Sequence, residues 1–216
     1  MPLRLEDYAL IGDTHTAALV GFDGSIDWLC LPRLDSDACF AALLGDRSNG
    51  SWRLAPAGAH RATGRRYRDG TLVLETGFAT DAGTVRVIDC MPVRTDGDPQ
   101  VIRVVEGVSG TVEMHSTFCV RPNYGRALPW LRRRAKRVHA IVGPHDVALD
   151  GDVVHDIDDD AATATARFTV NAGERLALRM SWVGRNAKPS DSASLIATVE
   201  GTERWWRRWS SKCTYA

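Results

Sequence analysis

Residues 17–31 read AALVGFDGSIDWLCL, and in this stretch an Asp-Gly pair separates two apolar runs. A tight turn between antiparallel strands needs a positive φ at its central residues, and Asp-Gly provides this readily. The runs 17–20 and 26–31 are therefore predicted to pair as a β-hairpin, with Asp23 and Gly24 in the turn.

The rest of the chain repeats this pattern of short β-branched runs between turn residues. The further predicted strands are 71–78, 84–92, 101–107, 111–120, 138–142, 164–170 and 175–183, with a turn at Ser109-Gly110. About a dozen strands is too many for one flat sheet and enough for two packed sheets. The sequence thus predicts an all-β fold, a two-sheet antiparallel β-sandwich (super-sandwich).

One predicted strand has two apolar faces. Over residues 84–92, Val85, Val87 and Asp89 alternate with Arg86, Ile88 and Cys90. Successive side chains of a strand point to opposite faces, so we expect both faces of this strand to be covered.

Two segments have helical patterns. The segment 38–44 has a capping residue, Asp37, good helix formers and a stop at Gly45, which predicts a short helix. The second pattern runs from about 190 to 212, with Leu195, Val199 and further apolar residues at helical spacing. We therefore expect a sandwich domain over 1–188 and a C-terminal linker helix over 189–216.

The composition excludes several functional classes. The chain has 216 residues, of which 44% are hydrophobic, and 27 basic residues balance 27 acidic ones. A formal net charge of zero predicts no nucleic-acid partner and no membrane partner. The five cysteines form no C-x-x-C pair, so we expect reduced thiols and a cytoplasmic location.

The hairpin segment 23–33 resembles the opening of bacterial glycoside hydrolase family 15 proteins, the glucoamylase and trehalase-like enzymes. The segments 38–45, 66–76, 104–110 and 203–215 are also similar to that family, and they occur in its order. The departures are Leu34, where phenylalanine is expected, and Cys90, where another apolar residue is expected. The resemblance covers essentially the whole chain.

This resemblance implies a β-sandwich followed by a catalytic (α/α)6 barrel. In the family, one barrel glutamate protonates the leaving oxygen and another activates water, which inverts the anomeric centre. No residue of this chain matches either glutamate, so a non-catalytic domain is expected, with no cofactor. Its expected partner is the barrel of a parent enzyme that hydrolyses trehalose or a maltose-type glucan.

The resemblance also suggests candidate residues at the interface with the barrel. Trp205, Trp206 and Trp209 on the linker helix are candidates for packing on the sandwich and the barrel. Asp27, Trp28 and Arg33 are candidates for the rim of the substrate site. The alternative interpretation is that the hairpin is purely structural, with Trp28 packed inside the sandwich and Arg33 paired with Asp35. In the absence of a barrel, we expect the linker helix to drive self-association.

Three other patterns have simpler interpretations. The acidic residues 156 and 158–160, with His145 and His155, lack the spacing of a calcium loop, so no metal site is predicted. The basic run 132–137 beside Trp130 is interpreted as a charged edge strand or loop rather than a nucleic-acid site. A small enzyme that uses Asp13 and His15, or a free-standing carbohydrate-binding or protein-interaction module, remains an alternative.

Overall fold

The computed structural model describes residues 3–95, 97–143, 145–182 and 190–213, and strands dominate it. The strands are β1 Tyr8–Gly12, β2 Ala17–Gly21, β3 Ser25–Cys30, β4 Ala38–Phe40, β5 Ser51–Pro56, β6 Arg61–Tyr67, β7 Leu74–Thr80, β8 Gly83–Cys90, β9 Gln100–Cys119, β10 Trp130–Arg134, β11 Arg137–Val142, β12 His145–Gly151, β13 Asp156–Asp158, β14 Thr163–Asn171 and β15 Arg175–Trp182. All their pairings are antiparallel, which confirms the all-β prediction.

The strands form two layers that share β9. The first layer has the order β1-β2-β3-β5-β9-β14-β13, with β4 beside β3, and uses the second half of β9. The second layer has the order β6-β7-β8-β9-β15-β12-β11-β10 and uses mainly the first half of β9. The two layers bury one common hydrophobic core, as expected for a sandwich.

The turn predicted at Ser109-Gly110 is wrong, because both residues lie inside the continuous strand β9. Gly110 has a φ of +64°, and a Cβ there would lie 2.1 Å from the carbonyl oxygen of Ala82. Only glycine fits this close approach. The sequence signal therefore marks the place where the strand passes from one layer to the other, not a reversal of the chain.

The predicted hairpin is confirmed as β2 and β3. Gly24 has a φ of +81°, and a Cβ there would lie 2.4 Å from the carbonyl oxygen of Leu54. The carbonyl oxygen of Gly24 also accepts a hydrogen bond of 2.8 Å from Nη2 of Arg103. Both the turn and its packing thus require glycine at this position.

The short helix predicted over 38–44 is present only in part. Residues Ala42–Leu44 form a single 3-10 turn, whereas Ala38–Phe40 form strand β4 beside β3. Phe40 is fully buried and meets Phe118 edge to face at 6.1 Å between ring centroids. Burial in the core overrides the helix propensity of this segment.

The C-terminal helix is confirmed over Ser192–Ser210, and it follows the four-residue helical turn α1 (Pro122–Gly125), so we number it α2. The carboxylate of Asp191 caps it by accepting a hydrogen bond of 2.8 Å from the backbone N–H of Ser194. The ends of the predicted range, 189 and 214–216, lie outside the described residues. No helix in the described ranges is long and apolar enough to cross a membrane.

Helix α2 covers the outer face of the second layer. Leu195 and Val199 pack in one cluster with Ile88 and Cys90 of β8 and Val104 of β9. On the inner face of β8, Val85, Val87 and Asp89 are buried in the sandwich. Both faces of this strand are therefore covered, as the alternation of its residues predicts.

Candidate functional site

The last turns of α2 carry three tryptophans with different exposure. Trp206 is buried, Trp205 is half-buried and Trp209 is 57% exposed. Trp206 meets Trp205 edge to face at 5.0 Å between ring centroids and meets Trp209 at 5.7 Å. The three rings thus form one aromatic cluster that packs on the sandwich at one side and is open at the other.

These rings form one wall of a cavity of about 850 Å³, which we call the tryptophan cleft. The loop 68–72 between β6 and β7 forms the opposite wall, and Tyr67 and Thr14 also line the cavity. The hydroxyl of Ser210 on α2 donates a hydrogen bond of 3.1 Å to the carbonyl oxygen of Gly70 and so ties the two walls together. An aromatic cleft of this size suits a ligand or an apolar segment of a partner.

A network of charged side chains fixes both walls of the tryptophan cleft. Arg68, in the loop, donates a hydrogen bond of 2.8 Å to Glu75 on β7 and another hydrogen bond to Glu203 on α2. Arg66 binds the second oxygen of Glu75 at 3.0 Å, and Arg207 binds the second oxygen of Glu203 at 3.1 Å. Both carboxylates are buried, so this network joins the helix to the sheet inside the protein.

The charge state of Glu75 follows from this network. Burial alone would raise the pKa of its carboxyl, but the hydrogen bond and charge of Arg68, with those of Arg66 and Arg86, lower the pKa below its ordinary value. Glu75 is therefore a stable anion, and it serves as an anchor for arginine rather than as a proton donor.

A second cavity of about 950 Å³ adjoins the first, because Thr14 lines both. Its walls are the loop around His15, the loop 32–35 and the segment around Arg94. Arg94 lies 3.4 Å from the buried carboxylate of Asp13 and donates a hydrogen bond of 2.9 Å to the carbonyl oxygen of Pro32. This polar cleft is thus built on an ion pair.

The pair Asp13 and His15 does not have the geometry of an acid–base site. Oδ1 of Asp13 accepts hydrogen bonds from the backbone N–H groups of His15 and Thr16, at 2.9 and 2.7 Å. The ring of His15 instead lies 3.2 Å from the hydroxyl of Thr14. Asp13 therefore shapes the loop, and its carboxylate does not orient the imidazole.

The structure separates the three candidates for the substrate rim. Arg33 lines the polar cleft and binds Asp35 through hydrogen bonds of 2.9 and 3.2 Å, so the ion pair of the structural alternative is present. Trp28 is half-buried and packs near Tyr124, with ring centroids 6.3 Å apart. Of the three candidates, only Arg33 lies at a described cleft.

The third candidate, Asp27, is buried in a polar network of its own. Tyr8 donates a hydrogen bond of 2.7 Å to Oδ2 of Asp27, and Ser25 donates one of 2.9 Å. Burial raises the pKa of Asp27. Burial also raises the pKa of Tyr8, and the hydrogen bond to Asp27 raises it further. Asp27 thus links β3 to the beginning of β1.

The acidic and basic runs make local contacts. Asp158 accepts a hydrogen bond of 2.9 Å from the backbone N–H of Ala161, and the described residues contain no cluster of three or more potential metal ligands. Strand β10 lies at the edge of the second layer, and Arg132 stacks on Trp130 at 3.5 Å from the ring centroid. Charged side chains on an edge strand discourage pairing with other chains.

Sequence reasoning missed the roles of Arg68 and Glu203. A signal for Glu203 was present, because it shares the buried face of α2 with Val199, Thr202 and Trp206. A carboxylate at such a position requires a partner with opposite charge. No comparable signal identifies Arg68 among the arginines of its segment.

Comparison with known proteins assigns the fold to a family. The model of the family described as trehalase-like, N-terminal, matches residues 1–203. The chain belongs to this family. The match includes the hairpin, both layers of the sandwich and α2 up to Glu203, and it ends just before the three tryptophans.

Curated relatives of this family member are named trehalases. A trehalase of Mycobacterium tuberculosis is 37% identical over 136 residues, which cover 52% of this chain and 20% of that protein. A trehalase of Mycolicibacterium smegmatis is 28% identical over 95% of this chain and 34% of its own length. A trehalase of Thermoplasma volcanium is 24% identical over 99% of this chain and 35% of its own length. The matches therefore cover between 20% and 35% of the length of these relatives.

Proposed function

We propose that this chain is the non-catalytic N-terminal domain of a glycoside hydrolase that cleaves α-glucosidic bonds with inversion. In this proposal the domain supports the catalytic barrel and packs against it through the tryptophan cleft and the adjoining polar cleft. Trehalose is the favoured substrate of the parent, because the relatives are named trehalases, and a maltose-type glucan is the alternative.

The observation that carries the proposal is the open side of the tryptophan cluster. Trp209 is 57% exposed at the end of a helix whose other face is firmly anchored to the sandwich. An exposed aromatic patch of this kind is typical of an interaction site. The matched relatives have about twice as much chain outside the match as inside it, which is ample for a large catalytic domain.

The two glutamates that bind Arg68 support a non-catalytic role. An inverting hydrolase needs one carboxyl group that stays protonated and one carboxylate that activates water. Glu75 and Glu203 both accept hydrogen bonds from Arg68, and each has a second arginine partner. The lowered pKa of Glu75 makes it unsuited to protonate a leaving group, and both oxygens of Glu203 are engaged by arginines.

The cysteines support a reducing compartment, and we propose a cytoplasmic location for this reason. All five are free thiols, and four of them are buried. Burial raises the pKa of Cys90 to about 12, which keeps this thiol protonated and unreactive.

The first test is the coding sequence that follows residue 216 in its source. A continuation of about 350–400 residues with helical periodicity and two well-separated glutamates supports the proposal. A stop codon directly after residue 216 contradicts it and favours a free-standing interaction module.

A chimera tests the supporting role directly. The matched third of the Mycolicibacterium smegmatis trehalase is replaced by this chain, and trehalose hydrolysis is measured beside the 216-residue chain alone. We expect activity from the chimera and none from the chain. Hydrolysis by the chain alone would contradict a non-catalytic role, and a folded but inactive chimera would contradict the supporting role.

The second candidate function is carbohydrate binding, which Tyr67 and Trp209 favour because aromatic faces exposed in a cleft can stack on sugar rings. Calorimetric titration of the chain with trehalose and maltose separates the two functions. Binding that Trp209→Ala abolishes and Trp130→Ala preserves would favour the module, and absence of binding favours the packing role. Trp130 is a matched control, because it is also 57% exposed.

A further inference from the structure

Two cations lie close in sequence to the tryptophans of the cleft and are not used in packing on the sandwich. Arg208 and Lys212 are exposed and lie in and just after the last turns of α2. Within the described ranges, no acidic side chain forms an ion pair with either of them. Their charges are therefore available to a partner.

Helical geometry places these charges beside the aromatic rings. Residues three and four apart lie on the same face of a helix, so Trp205, Arg208 and Trp209 share one face, and Lys212 follows just beyond the helix end. Asp69 is the one exposed acidic residue that lines the cleft in the described part of the chain. Arg208 and Lys212 thus bring two positive charges to the exposed side of the rings.

The walls of this cleft are already fixed without a partner. Arg68 binds Glu75 on the sheet and Glu203 on the helix, and Ser210 binds the loop at Gly70. The aromatic rings are also held by their mutual edge-to-face contacts. A partner that enters such a site loses less free energy to the ordering of its walls.

We propose that the tryptophan cleft receives an apolar side chain of the catalytic domain that is flanked by carboxylates, which face Arg208 and Lys212. The inference rests on the proposed function and adds the chemistry of the contacting segment. Apolar burial supplies the affinity, and the two cations select the orientation and the partner.

A second surface of the chain has the same types of residue as this site. Trp130 on β10 is exposed to the same extent as Trp209, and Arg132 and Arg134 follow it on the same strand. This second aromatic and basic surface lies on an edge strand, and Trp130 is not among the residues that line the described cavities. It provides control substitutions with the same residue types.

The test uses two fluorescent probes that differ in charge: anilinonaphthalene sulfonate is apolar and anionic, and phenylnaphthylamine is apolar and neutral. We expect the chain to bind the anionic probe more tightly. Trp209→Ala should weaken both probes, and Arg208→Gln with Lys212→Gln should weaken only the anionic one, by about fivefold. Trp130→Ala, and Arg132→Gln with Arg134→Gln, should change neither.

Three results would overturn the inference: equal affinity for the two probes, unchanged binding in Trp209→Ala, or an equal loss in the control variants. The variants Arg208→Gln and Lys212→Gln alter only exposed side chains, so their folding is not at risk. Thermal unfolding of each variant checks this.

The chimera separates this inference from the proposed function. Arg208→Glu with Lys212→Glu in the chimera should reduce trehalose turnover, whereas Arg132→Glu with Arg134→Glu should not. An active chimera that tolerates both pairs equally would overturn the inference and leave the supporting role intact. A folded chimera without activity would overturn the supporting role, while the probe result would still describe the cleft.

Discussion

Arg103 is fully buried, and its guanidinium group joins both layers of the sandwich. It binds Asp89 on β8 through hydrogen bonds of 2.7 and 3.3 Å. It also donates hydrogen bonds of 2.7 and 2.8 Å to the carbonyl oxygens of Trp52 and Gly24, which belong to the other layer. The guanidinium group also lies over the ring of Trp52. Every part of it therefore has a polar or aromatic partner.

We predict that Arg103→Leu lowers the free energy of unfolding by about 3–5 kcal/mol, because it leaves the charge of Asp89 buried without a partner. Urea denaturation at neutral pH measures the loss. Arg167→Gln is the control, since Arg167 and Glu113 are exposed and 3.5 Å apart, and it should cost less than about 1 kcal/mol. Equal losses in the two variants would contradict the role of the buried pair.

A second buried group makes stability depend on pH. His155 is almost fully buried, and its Nε2 lies 2.8 Å from the hydroxyl of Ser116, which accepts a hydrogen bond of 3.2 Å from the indole N–H of Trp52. Burial lowers the pKa of His155 to about 4. The folded protein therefore holds a neutral imidazole beside this hydroxyl.

We predict that this histidine destabilises the fold in acid. Between pH 6.5 and 4 the unfolded chain takes up the proton first, so the free energy of unfolding falls by about 3 kcal/mol over this window. Denaturant titrations from pH 7 to pH 4 should show a smaller decrease for His155→Gln than for the wild type. His15→Gln, at an exposed position, should retain the full decrease, and parallel curves for all three proteins would contradict the assignment.

Among the elements, α2 is joined to the sheet by a loop arginine that binds a carboxylate on each. Arg68 is 21% exposed and binds two buried carboxylates, whereas Arg66 is 74% exposed and, among the described residues, pairs with Glu75 alone. The two arginines thus share a partner and differ in whether they also hold the helix.

We predict that Arg68→Gln lowers the free energy of unfolding by about 3 kcal/mol and speeds hydrogen exchange in the last turns of α2. Arg66→Gln should cost less than about 1 kcal/mol and leave exchange in the helix unchanged. Chemical denaturation and exchange mass spectrometry measure the two effects. Faster helix exchange in both variants would show that Arg68 does not hold the helix specifically.

The sequence predicts elements better than it predicts their partners. The hairpin, the strands around 84–92 and 164–170, and α2 follow from local patterns of turn residues and apolar spacing. The passage of β9 between layers does not, because Ser109-Gly110 has the same local signature as a true turn. Strand β4 is also missed, since only burial beside β3 and Phe118 makes that segment extended.

For the molecule as a whole, the site was predicted in part. The tryptophans of α2 were identified from the sequence, and their place at a cleft depends on the loop 68–72, which is distant in sequence. Asp27, Trp28 and Arg33 lie within seven residues of one another but have different neighbours in the fold. Asp27 and Trp28 are consecutive in β3 and face opposite ways, whereas Arg33 lies beyond the end of that strand.

We predict that the isolated chain associates with itself through the exposed part of the tryptophan cleft, because burying these rings removes apolar surface from water. Light scattering over a concentration series should show a rising mean mass. Trp209→Ser should weaken the association, and Trp130→Ser, at the equally exposed control position, should not. A mass that stays at that of a monomer across the series would contradict this.

The sharing of β9 has a consequence for how the protein comes apart. A strand whose two halves belong to opposite layers cannot leave one layer without loosening the other. We therefore expect that neither layer can fold without the other. Unfolding of the sandwich should then be all-or-none. For the same reason, fragments split within β9 should recover structure only when both are mixed.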